Sequence, residues 1–208
     1  MRLCMFHPVG HPLERGWVGR VDGDRIVQLA AQTLQSFFTG GGTAREHAEY
    51  PLSEVVLLAP VLHPPSIRVF DDQTSFAFAN PAAIVGPDAL VVGPAPPLSV
   101  LPRPAAVMGA EGAIGGFTVL ADWRAPSVEP PKDRDFALGL GPVVVTPDEF
   151  DHASSGFDWG AATELAALGT LLYPGDILAG PASGPLPAAA SVSIEVDGIG
   201  ILEQRTAV

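Results

Sequence analysis

The chain has 208 residues, 47% hydrophobic and 16% charged, enough for one sizeable core or a core with a small appended lobe, and this excludes disorder for most of its length. A net charge of −12 leaves no basic stripe to neutralise phosphates, so nucleic acid and anionic membrane surfaces are excluded as partners, while small molecules and other proteins remain. One cysteine, Cys4, can form neither an internal disulfide nor a thiolate zinc cluster; no signal-like run opens the chain and no stretch approaches the roughly 20 apolar residues of a membrane span, so the sequence reads as cytoplasmic.

In chain order, Leu3 to Phe6 and Gly16 to Val21 read as short strands, followed by a turn at Asp22-Gly23-Asp24 and a third strand from Arg25 to Leu29. Leu29 to Phe38 carries apolar residues at helical spacing and stops at Gly40-Gly41-Gly42, after which a polar loop is expected through Tyr50. From Val55 onward come many strand-like pieces separated by proline, among them SIRVF, AAVMG, GFTVLADW, GPVVVTP, DILAG and SVSIEV. Proline and glycine, 22 and 23 residues, punctuate the chain too often for long helices. This is the pattern of a mainly β, α+β protein: a small N-terminal β lobe over residues 1–60, a rolled sheet or barrel over 61–208, and two short helices. The second helix is expected from Trp159 to Leu172, ended by Pro174-Gly175.

Several segments resemble, in order, those of the fumarylacetoacetate hydrolase family. GWVGRVDGDRIVQLA and YPLSEVVLLAPVLHPPSIR resemble its N-terminal lobe and linker, and FAFANPAAIVGPDALV its segment ending in a Gly-Pro turn. GGFTVLADWRA, KDRDFALGLGPVVVTPDEF, YPGDILAGPASG and VSIEVDGIGILEQRTAV resemble its later motifs, so the resemblance covers most of the chain. It implies a rolled mixed β fold, usually a homodimer, with a carboxylate-held divalent ion, typically Mg²⁺. The implied substrate is a 1,3-dicarbonyl or 2-oxo acid and the implied chemistry is C–C hydrolysis, decarboxylation or tautomerisation. An ion chelated by two neighbouring carbonyl oxygens stabilises the enolate or carbanion that forms.

The departures from the family pattern fall on that chemistry. The paired carboxylates of its E-x-E motif align with Leu101 and Arg103, a further acidic ligand with Val69, and the general-base histidine with Phe76. Of the ligand set Asp122 survives, and one carboxylate does not make a Mg²⁺ site. Asp71 and Asp72 are the local alternative; being adjacent, at most one can face a cleft from a strand, and a polar turn is the plainer assignment. Arg134 stands at the family's lysine position with Lys132 two residues earlier, on the same face if the segment is extended. Arginine clamps a carboxylate but does not give up a proton at neutral pH. The loop that would hold substrate reads Ala179-Gly180-Pro181-Ala182, without its hydroxyl donors. His7 and His11 have metal-ligand spacing only on a helix, which Pro8 and Pro12 oppose, and His152, Ser154 and Ser155 lack the context of a nucleophile elbow.

Two functions follow as expectations. In the first, the chain keeps the fold without the metal site, no cofactor is expected, and the role is structural, regulatory or ligand-binding, as a homodimer or paired with an active relative. In the second it is a working enzyme, either metal-free, with Arg68, Arg103, Arg134 and Lys132 binding a small anionic 2-oxo acid while Asp122 moves a proton, or Mg²⁺-dependent with ligands from other positions.

Overall fold

The computed structural model describes residues 1–13, 15–151 and 156–207. The first third supplies β1 (Arg2–Pro8), β2 (Trp17–Asp22), β3 (Arg25–Leu29), α1 (Leu34–Thr39), β4 (Glu46–Pro51) and β5 (Val55–Leu58). The middle supplies β6 (Ile67–Phe70), β7 (Phe76–Phe78), β8 (Ile84–Val85), β9 (Leu90–Val91) and the long pair β10 (Ser99–Met108) and β11 (Ile114–Arg124). Then follow β12 (Leu138–Val145), α2 (Trp159–Ala167), β13 (Ile177–Ala179), β14 (Leu186–Pro187), β15 (Ser191–Val196) and β16 (Gly200–Thr206). The protein is mainly β, as the sequence predicts.

Among the described residues, one large mixed sheet runs β4-β3-β2-β1-β12-β11-β10-β13-β6-β7, with β5 on β1, β8 on β12 and β14 on β10; a second sheet runs β15-β16-β9. The first sixty residues join it through β1, whose Leu3 pairs with Val144 of β12. The β2–β3 hairpin closes at Asp22 opposite Arg25, with Gly23 at φ +62° in the first of two turn positions, a conformation with no steric cost for glycine. Strand alternation sends the residues of β11 to two cores. Phe117, Val119, Ala121 and Trp123 pack with Trp159 and Ala162 of α2 and with Ile194 and Leu202 of the small sheet. Leu120 packs on the other face with Leu3, Met5 and the α1 residues Leu34, Phe37 and Phe38.

Three local expectations are corrected. The first helix begins at Leu34 rather than Leu29, because Leu29 is held in β3 opposite Glu46 and Thr33 and Ser36 form a reciprocal cap at the helix start. The stretch before Tyr50 is not a loop: β4 is an edge strand whose charges suit an outer position, with Glu46 on Arg20 and Glu49 on Arg25 at 2.6 and 2.7 Å. Helix α2 stops at Ala167, well before Leu172, because Leu168 is extended and Gly169 takes φ +73°. No helix among the described residues is long and apolar enough to cross a membrane.

Candidate functional site

Arg103 lies between two prolines in a central strand, where proline would ordinarily remove a ladder hydrogen bond. The carbonyls of Pro102 and Pro104 accept from Ser183 and Gly180 N–H, so the missing proline donors face the irregular 180–183 segment. Arg103 itself pairs with Leu120 of β11, and the ladder on that side is kept. Period-2 geometry then places Leu101 and Arg103 of β10 and Asp122 and Arg124 of β11 on one face of the pair.

The Arg103 side chain is 2% exposed and its guanidinium donates to four protein oxygens. Nε reaches Asp122 Oδ2 at 3.0 Å, Nη1 reaches the carbonyls of Phe70 and Gly180 at 3.0 and 3.2 Å, and Nη2 reaches Asp71 Oδ1 at 2.7 Å. Asp122, also buried, accepts a second charged hydrogen bond at Oδ2 from Arg124 Nη2 at 2.5 Å. Arg124 continues to Asp133 at 3.9 Å and Asp133 to Arg134 at 3.2 Å. The result is an alternating chain of three aspartates and three arginines, Asp71–Arg103–Asp122–Arg124–Asp133–Arg134, running from one exposed end to the other. Ala125 N–H to the Asp133 carbonyl, at 2.8 Å, docks the last part of it against the end of β11.

Of the residues singled out in the sequence, the structure brings Arg103, Asp122 and Arg134 into this one chain. Arg68 is elsewhere: it lies on β6, 5.4 and 5.7 Å from the rings of Phe78 and Phe76, donates to Ser66 Oγ and sits 4.0 Å from Asp176. Lys132 is 72% exposed and paired with Asp135 at 2.9 Å. The same-face arrangement of Lys132 and Arg134 does not hold, because residues 129–134 form successive turns, with Lys132 N–H on Glu129 and Arg134 N–H on Pro131, rather than an extended segment. Val69 is a core residue paired with Ala179, and Phe76 stacks on Phe70. The adjacent aspartates lie in the bend that follows the end of β6 and point apart. Asp71 turns to Arg103, whereas Asp72 closes a turn, its Oδ1 accepting from Thr74 and Ser75; the Thr74 hydroxyl and the backbone N–H groups hold its carboxyl below the usual range. His152, Ser154 and Ser155 lie outside the described residues. Arg124 and Asp133 were not anticipated; the signal for Arg124 was its two-residue spacing from Asp122 on a strand, and Asp133 had none.

These residues do not fit a divalent ion. Among the described residues no group of three or more His, Cys, Asp or Glu side chains is placed to hold a metal. Asp71 and Asp122 already share one guanidinium, and a hard dication set between them would meet the charges of Arg103 and Arg124. A cleft of about 740 Å³ is lined by Pro102, Arg103 and Pro104 of β10 and walled by 149–151, 181–183 and 194–198. The same lining carries Glu149, Asp151, Glu195 and Asp197.

No family model matches the sequence, and no curated protein matches it. Solved structures do match over almost the whole chain. A maleylpyruvate hydrolase from Sphingobium sp. SYK-6 in complex with manganese(II) ion and pyruvate is 21% identical, covers 99% of this chain and 98% of its own, and superposes with a TM-score of 0.80. A 5-carboxymethyl-2-hydroxymuconate delta-isomerase from Mycobacterium smegmatis is 21% identical over 99% of both chains, with a TM-score of 0.79. A 2-keto-3-deoxy-D-arabinonate dehydratase complexed with magnesium and 2,5-dioxopentanoate is 15% identical over 99% and 98%, also at 0.79. The chain has the fumarylacetoacetate hydrolase fold. Within that fold it presents Leu101 and Arg103 where the resemblance leads one to expect a carboxylate pair.

Proposed function

We propose that this protein keeps the fumarylacetoacetate hydrolase fold without metal-dependent catalysis, and works as a ligand-binding or structural protein of the cytoplasm, as a homodimer or in company with a catalytic relative. The observation that carries this reading is the Arg103 guanidinium: buried, and bonded to both carboxylates that a metal would need. An arginine stays protonated at any physiological pH, so this cation is permanent and cannot be exchanged for an ion. A metal-free arginine enzyme would need several guanidinium groups turned toward one substrate. Here Arg103 donates to four protein oxygens, Arg68 belongs to a separate pairing, and Asp122 is held by two arginines.

Calorimetric titration of Mg²⁺ and Mn²⁺ into the chelator-treated chain tests the reading. The wild type is expected to bind neither, and binding by it would refute the proposal. The Leu101→Glu/Arg103→Glu variant, which places two carboxylates beside Asp122, is expected to gain a melting temperature that rises with Mn²⁺. Sedimentation at micromolar concentration tests the dimer, and a monomer would count against it.

A further inference from the structure

We propose that Asp71 is an internal cap on a carboxylate-binding site whose floor is the Arg103 guanidinium, and that a small monocarboxylate takes the place of the cap. This rests on the reading that Arg103 stands in place of a metal. Charge supports it first: the six-residue chain is neutral only with Asp71 counted, and without it Arg103, Arg124 and Arg134 face Asp122 and Asp133 alone. The surplus positive charge then falls at Arg103, in a region where burial weakens solvent screening.

Geometry supports it second. Nε and Nη1 of Arg103 are fixed by a buried carboxylate and two backbone carbonyls, all set by the fold. Nη2 is met by Asp71 alone among the described residues, through a single oxygen. The two partners differ sharply in environment: the Arg103 side chain is 2% exposed and the Asp71 side chain 82%. The cap therefore lies on the solvent side of a buried donor, loses little hydration by binding it, and leaves at little cost. The turn that carries it does not depend on the contact, because Asp72 holds that turn through its own bonds to Thr74 and Ser75. A free carboxylate offers Nη2 the same acceptor chemistry as Asp71.

The test titrates acetate, at constant ionic strength and with chelator present, into the full chain, while the Nε–H signal of Arg103 is followed by NMR. Asp71→Ala is expected to bind acetate about three- to fivefold more tightly than the wild type, since one weak competing charge-assisted hydrogen bond is gone, and the Arg103 signal is expected to move on binding. Glu54→Ala, which removes one negative charge elsewhere on the surface, is expected to behave as the wild type. Equal acetate affinity in Asp71→Ala and the wild type would overturn the proposal. So would a gain in affinity that leaves the Arg103 signal unmoved, or an equal gain in Glu54→Ala. Because chelator is present, these outcomes bear on the cap alone, whereas metal binding by the untreated wild type would remove the reading beneath it.

Discussion

Replacing Arg103 by methionine keeps much of the side chain's length and removes its charge and all of its donors. The structure sets the cost. The Phe70 and Gly180 carbonyls lose their donor from Nη1, and the buried Asp122 loses one of two charged partners while keeping Arg124 at 2.5 Å. Asp71 returns to water and contributes almost nothing, since it is 82% exposed. Breaking a buried ion pair from one side costs about 3–5 kcal/mol; the retained Arg124 contact offsets part of this and the two orphaned carbonyls add to it, giving a loss of about 4 kcal/mol. For a chain of this size that lowers the melting temperature by roughly 8–16 °C. Urea unfolding followed by circular dichroism, with calorimetry for the melting temperature, measures it. Asp71→Ala in the same assay should cost less than about 1 kcal/mol. If Arg103→Met lost under about 1 kcal/mol, or no more than Asp71→Ala, the guanidinium would not be the organising charge of the site.

Further outcomes are expected away from the site. Burial pushes the Cys4 thiol up to about 12, against 9.0 for an ordinary thiol. Between those values the unfolded chain gives up a proton that the folded chain keeps, so stability falls with rising pH by up to about 1.4 kcal/mol per pH unit. The full stability is present below pH 9.0, and a Cys4→Ala variant should lose this part of the slope in urea melts taken across the window. For the same reason a thiol reagent near neutral pH should label Cys4 only after unfolding. At Gly139 an added methyl would lie 2.2 Å from Gln204 Oε1, the atom that accepts from Trp123 Nε1 at 2.6 Å. Gly139→Ala should therefore destabilise by about 1–3 kcal/mol and shift the Trp123 indole N–H resonance, and an unmoved resonance would show that Gln204 is not locked there.

The order of motifs and the turn chemistry made the fold legible. Gly23 marked its hairpin because a two-residue turn demands positive φ there, and the proline-punctuated apolar runs marked short strands. What escaped was settled by neighbours distant in sequence. Glu46 to Pro51 is too charged to read as a strand by composition, and becomes one because β3 offers it a ladder and Arg20 and Arg25 offer it countercharges. The end of α2 was misplaced for a local reason: Pro174-Gly175 is the stronger punctuation, yet Gly169 comes first.

At the site, residue identity was legible and convergence was not. Leu101 and Arg103 could be recognised as unsuited to a metal from their chemistry alone, but a list of four basic residues could not say which of them meet. The arrangement turns on strand period and register. Arg103 and Asp122 are neighbours because β10 and β11 pair Leu101 with Asp122 and so place Arg103 one diagonal step away on the same face. The same step along β11 brings Arg124 in, and Arg68 is left out because β6 lies beyond β13 in the sheet. A side chain at position 103 that points along this face thus places a tethered cation between Asp71 and Asp122. Asp122 is accordingly a counterion to two arginines.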